Sequence, residues 1–288
     1  EPLQSCACML KRGFVVGLST GDKQIALMNG VQYVQKSLVS GTNLSILKKE
    51  CDYQMRLIEE LSSPMTKMYM AAFQETVSML AAKKIPSNSK LSDEEVSKAE
   101  GFSEALIFHR VLQNFWLGRY SRCLYYAEKS SYCAEKSSPS SDISQLKSIL
   151  IIFYRGLSCF HSKRTCGRRH MKLAHTAIVV MKEKGEISSW NYQCKIHLLE
   201  AEIFSATDKK DKAKVSFHAA ISAARSSKFV HEQGLACELA ALHCLKYGDI
   251  DDATDLLEQA IECYTKWGSQ VKIDCITKQL EKIATRKG

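Results

Sequence analysis

Four times along this chain a turn-forming residue is followed by small residues five and twelve positions later. Gly118 precedes Cys123 and Ser130, Ser162 precedes Gly167 and Ala174, Asp208 precedes Ala213 and Ala220, and Gly248 precedes Ala253 and Ala260. A partial copy near the start has Gly21 before Ala26, with Tyr33 at the later position. The two small positions are two helical turns apart, so they share one face of a helix that follows the turn. Small side chains on that face let the helix lie close against the one before it. The pattern predicts helical hairpins, spaced by 44 (118 to 162), 46 (162 to 208) and 40 (208 to 248) residues. Each hairpin leaves an apolar face that only a neighbour covers, so repeated hairpins stack into a solenoid.

Local patterning agrees. In LACELAALHCLKYG, Leu235, Leu239, Leu242 and Leu245 form an apolar stripe that Gly248 stops. The next helix restarts behind Asp249 or Asp251 as a cap. With only 4 prolines and 14 glycines in 288 residues, many tight turns are excluded and long helices favoured. Helices are expected near 2–18, 22–39, 44–61, 64–83, 103–117, 119–136, 142–161, 165–184, 188–206, 209–227, 230–247, 250–267 and 270–285. The stretch KKIPSNSKLSDEEVSKAEGFS breaks the pattern and reads as a loop with a short helix opened by Ser92 and Glu95. It divides the chain into N-terminal hairpins (1–84), a linker (85–102) and a C-terminal array (103–288). KSSPSSD around Pro139 reads as a second exposed connection.

The segment from Phe229 to Ile276 resembles the helical-repeat region of large multi-sensor signalling proteins. The resemblance rests on Phe229, His231, Glu232, Ala236, Glu238, Leu239, Ala240, Gly248, Ala253, Ala260, Tyr264, Trp267, Gly268 and Lys272. Gly21-Asp22, Gly41, Leu44 and Leu47 look like earlier helices of the same region, and FWLGRYSRCLYYAEKS like its middle. In such proteins an AAA or STAND-type ATPase precedes tetratricopeptide-like helices, and GAF, histidine kinase or nucleotide cyclase modules follow. The resemblance implies an all-α, tetratricopeptide-like solenoid of antiparallel helix pairs. Its period of about 40–46 residues exceeds the roughly 34 of a standard tetratricopeptide unit. It also implies a place between an ATPase and an output module, and no activity for these residues. The chain starts at Glu1 in mid-pattern, which fits a fragment of a larger protein.

Several features invite a chemical reading. CFHSKRTCGRRHMKLAH, Cys159 to His175, gathers two cysteines, three histidines and five basic residues with no acid. Zinc needs four converging ligands. Cys159 and His161 are two apart on a helix and point to nearly opposite sides, and His175 is out of phase with Cys166. No metal or cofactor is therefore expected. Lys163, Arg164, Arg168, Arg169 and Lys172 remain as a hairpin tip that is either a solvated end or a contact for an anionic partner. Trp116, Trp190 and Trp267 are expected in packing between hairpins. Gly13, Gly17 and Gly21 lack the Lys-Ser/Thr of a phosphate loop and sit four apart, as close-packing glycines do. Cys6 and Cys8 cannot both face a core.

Function classes narrow accordingly. No apolar run reaches the roughly 20 residues of a membrane span. The net charge of +9 is spread among mixed charges without a basic stripe carrying interleaved aromatics, so no specific nucleic-acid partner is expected. Twelve cysteines scattered through apolar patterns fit reduced thiols and a cytoplasmic location. The chain is expected to be a non-catalytic protein-interaction and coupling scaffold within a signalling ATPase or kinase. Two alternatives stay open: part of an enzyme, a protein kinase or nucleotide cyclase whose catalytic domains lie outside this chain, or a free-standing tetratricopeptide-like adaptor.

Overall fold

The computed structural model describes residues 2–61, 63–83, 103–134, 142–162 and 167–287. Among them are thirteen helices and no strand: α1 (Leu3–Thr20), α2 (Lys23–Val39), α3 (Leu44–Glu60), α4 (Pro64–Ala81), α5 (Ser103–Trp116), α6 (Tyr120–Ala134), α7 (Asp142–His161), α8 (Arg168–Ile187), α9 (Ser189–Ala206), α10 (Lys210–Ser226), α11 (Val230–Lys246), α12 (Ile250–Trp267) and α13 (Gln270–Lys287). The expected helices all appear, shifted by at most three residues at either end. The Ser92–Glu95 cap, Cys166 and the Pro139 connection lie outside the described residues.

The turns explain where the helices stop. Gly21, Gly41, Gly118, Gly248 and Gly268 all adopt positive φ, which costs a glycine nothing. After Gly248 the Asp249 N–H returns to the Cys244 carbonyl at 3.0 Å, satisfying an end that the helix alone leaves open. Asp208 (φ 53) and Lys228 (φ 59) do the same work without being glycine. Asp22 and Asn43 cap α2 and α3 by accepting from the N–H groups of Ile25 and Ser45.

The small residues sit where helices meet. Ala26, Cys123, Ala174, Ala213, Ala220, Ala253 and Ala260 are wholly buried and Ser130 nearly so. Gly167 departs from the pattern. It is exposed, has ordinary φ, and begins α8, which starts three residues later than expected. In that hairpin the close approach comes from Gly156 on α7, whose missing Cβ would lie 2.8 Å from that of Ala177. In the first hairpin Gly13 and Gly17 face Asn29 and Ala26 of α2, whereas Gly21 closes α1 as its left-handed end.

Each helix packs on the next along the chain. The odd-numbered helices α5, α7, α9 and α11 also touch one another in order, forming one layer, and in the N-terminal part it is α2 and α4 that touch. Leu44, Leu47, Phe73, Phe108, Phe153 and Leu199 are among the side chains removed from water, each contributing about 1.5–3 kcal/mol before entropy is counted.

The array also folds back on itself, adding contacts that a stack of neighbours alone lacks. Helix α13 packs on α4. The Ser269 hydroxyl donates to the Leu80 carbonyl at 2.9 Å, and the Asn43 side chain to the Lys266 carbonyl at 2.8 Å. At the other end the Leu3 N–H donates to Asn191 Oδ1 at 3.1 Å and the Gln4 amide to the Ser227 carbonyl at 3.0 Å. Gly41, between α2 and α3, lies against the His231 ring. That ring belongs to an aromatic node with Trp116 (5.7 Å) and Trp267 (5.4 Å). The two indoles are 4.8 Å apart, and Tyr264 flanks them. Trp190 is not part of such packing. It is 39% exposed, and its indole N–H reaches Gln4 Oε1 at 3.4 Å.

Candidate functional site

Of the basic hairpin tip, Lys163 and Arg164 lie outside the described residues, while Arg168, Arg169 and Lys172 are exposed near the start of α8. Arg169 is already engaged with Glu128 of α6 at 2.8 Å. The ligand-like residues around them diverge. Cys159 is buried, His161 turns to Glu202, and His175 Nδ1 meets the Met171 carbonyl of its own helix at 2.7 Å. Among the described residues no three His, Cys, Asp or Glu side chains gather as metal ligands would. The described cysteines are free thiols; Cys6 is partly covered and Cys8 exposed.

Many ionisable groups in the interior hold the fold. Lys195 and Glu232 form an ion pair at 2.5 Å, each 1% exposed, and Lys195 also donates to the Asn191 carbonyl at 2.9 Å. Arg110 is held by Gln113 and Glu75. His109 shares a 2.9 Å hydrogen bond with the Thr76 hydroxyl, joining α5 to α4. Burial, with Lys147 and Arg110 adding repulsion, lowers the His109 pKa to about 3. Burial and then Lys195 lower that of His231 to about 3 as well. Both imidazoles are neutral at physiological pH. Burial raises the thiol pKa of Cys51, Cys123 and Cys237 to about 12, so none of them is a thiolate nucleophile at neutral pH.

A concavity lies beside α5, α7 and α11, where α13 closes the array. It is a groove of about 680 Å³. Leu117 and Leu242 supply apolar surface over the buried Trp116 and Val271, and the paired Glu238 and Lys272 are among the lining. Those two pair at 2.6 Å, and the Tyr264 hydroxyl donates to the same carboxylate at 2.6 Å, so Glu238 is neutralised in place. Gly118, Tyr120 and His161 are shared with an adjoining cleft of about 590 Å³ that Arg119 and Arg122 border. Burial pulls the His161 pKa down, but the Glu202 carboxylate at 3.1 Å outweighs it and the net shift is upward. His161 is thereby tied to Glu202 where the two clefts meet.

Around this floor are Lys83, Arg119, Arg122, Lys278 and Lys282. None of the five forms an ion pair with a described residue. Asp274 is the acid among the residues lining the main groove that has no cationic partner, and it accepts from Gln270. The groove is therefore a cationic surface with an apolar floor. Sequence reading found a basic cluster at 163–172 because it looks for charges close in the chain. The groove cations are drawn from the end of α4, the α5–α6 turn and α13, nearly two hundred positions apart, with no local signal.

No helix among the described residues is long and apolar enough to cross a membrane. Comparison with the descriptions of known protein families finds no match, and comparison with characterised proteins finds none either.

Proposed function

We propose that this chain is a non-catalytic protein-interaction and coupling scaffold, of the kind that joins ATPase and output modules in multi-sensor signalling proteins. The observation that carries the reading is the construction of the groove. Its walls come from the end of α4 and from α5, α6, α7, α11 and α13, which belong to separate hairpins. A partner seated there touches the end of α4 and the last helix, α13, at once, so binding energy is coupled to how the hairpins sit on one another. The buried ion pairs support the same reading, because their charged groups are committed to each other and not to a reacting substrate. The sequence resemblance supports the signalling context, and the partner is a protein segment of the same polypeptide or of a signalling partner.

A random peptide library displayed on phage tests this. Selection on folded 1–288 is expected to converge on a motif that binds saturably and is not retained by the heat-denatured protein. Failure to converge, or ATP turnover by the purified chain above the buffer background, refutes the scaffold reading.

A further inference from the structure

The interaction-scaffold reading leaves the partner's chemistry open, and the groove itself narrows it. We infer that the cleft beside α13 is a docking site for an extended acidic peptide segment that carries a large apolar side chain. This deepens the proposed function and rests on it.

Charge complementarity comes first. Lys83, Arg119, Arg122, Lys278 and Lys282 border the joined clefts without ion-pair partners among the described residues. Elsewhere on the molecule several exposed lysines meet acids on the adjoining hairpin: Lys210 meets Asp249 at 3.1 Å, Lys214 meets Asp252 at 2.8 Å and Lys246 meets Asp208 at 2.7 Å. At the joined clefts five cations without such partners border two adjacent concavities. Like charges converging on a concave, partly apolar wall repel one another and focus a positive potential into it, which an anionic occupant relieves.

The floor then distinguishes a peptide from other polyanions. Leu117 and Leu242, both half-buried, offer apolar surface, and more of the exposed lining is apolar than polar. An apolar side chain between acidic ones is held there, whereas a phosphate backbone has nothing to place on it. Single-stranded nucleic acid binds by stacking bases on exposed aromatic faces. Trp116 is 3% exposed, with Phe115 and Tyr264 packed against it in the core, which leaves the half-buried Tyr120 as a single ring among the described lining and no row of rings for successive bases. Within the groove Asp274, which has no cationic partner, opposes a continuous run of phosphates but tolerates acidic side chains spaced along an extended chain.

The test uses full 1–288 and a fluorescein-labelled octapeptide of six acidic residues and two leucines, read by fluorescence anisotropy. Saturable binding is expected, weakening as salt is raised from about 50 to about 300 mM. The Lys278→Glu/Lys282→Glu variant is expected to lose at least about tenfold in affinity. The Lys83→Glu/Arg122→Glu variant, on different elements, is expected to lose as much, which guards against one pair disturbing α13. The Lys48→Glu/Lys212→Glu control has the same net charge and is expected to stay within about twofold of wild type. Circular-dichroism melts establish that each variant is folded. No binding by the wild type, equal loss in the control, or displacement of the peptide by oligothymidylate at lower concentration than by unlabelled peptide overturns the inference. A phage selection that converges on a non-acidic motif overturns it too, while leaving the scaffold reading in place.

Discussion

Removing one member of the Lys195–Glu232 pair measures how completely the array excludes water from its centre. Both side chains are 1% exposed and 2.5 Å apart. Glu232 Oε2 has no hydrogen bond, and the imidazole Nε2 of His231, neutral here, is 3.9 Å from Oε1. Lys195→Met keeps the stem that packs near Phe153 and Phe229 and deletes only the charge. The carboxylate then stays buried with no cation, which costs about 3–5 kcal/mol. With a urea dependence of about 3 kcal/mol/M for a chain of this size, the unfolding midpoint falls by about 1–2 M. Glu232→Leu leaves a buried ammonium and costs about as much, but the double variant Lys195→Met/Glu232→Leu removes both desolvation penalties and returns to within about 1 kcal/mol of wild type. Urea melts of the four proteins give the coupling directly. If Lys195→Met costs less than about 1 kcal/mol, or if the double variant costs the sum of the singles, the pair is solvated or its partners act separately, and the reasoning fails.

Three further outcomes follow from the same packing. His109 and His231 are neutral when folded, with pKa values near about 3, but titrate near about 6.5 when unfolded, so lowering the pH from 7 to 5 lets only the unfolded chain take up their protons; each then withdraws about 2 kcal/mol, and His109→Gln should show a shallower loss of urea resistance over that range than wild type. His161 has the opposite sign: its raised folded value gives stability at low pH that is lost as pH rises through it. Gly41→Ala adds a Cβ at φ +82 against His231, whereas Gly248→Ala at φ +81 meets nothing within 4 Å; both lose about 1 kcal/mol to backbone strain, and thermal melts should show the Gly41 variant losing more. In the folded protein a thiol reagent should modify Cys8 and Cys275 promptly, while Cys51, Cys123 and Cys194 react only on unfolding.

Local chemistry made the helices legible. Ala213 and Ala220, Ala253 and Ala260 mark a face by spacing alone, and Gly21, Gly118 and Gly248 stop helices wherever the chain is read. Spacing failed at Gly167 because a small residue in the right register is also a natural helix start, and only the fold shows that Gly156 does the packing. It failed at Trp190, whose apolar bulk predicts burial but whose place at the start of α9 leaves it on the surface.

The sequence by itself determined an all-helical chain of antiparallel pairs, since periodicity, capping and small-residue packing act over a few turns. Tertiary structure alone decided that the array closes on itself, through Ser269 on Leu80, Asn43 on Lys266 and Gly41 on His231. Those contacts are single polar bonds and one steric fit between residues about two hundred positions apart, and no periodic pattern encodes them. The same closure assembles the groove, because Lys83, His161 and Lys282 border one concavity only once α13 lies on α4. Charge acts through space at short range, so a cationic surface exists only after folding has chosen which distant residues share it.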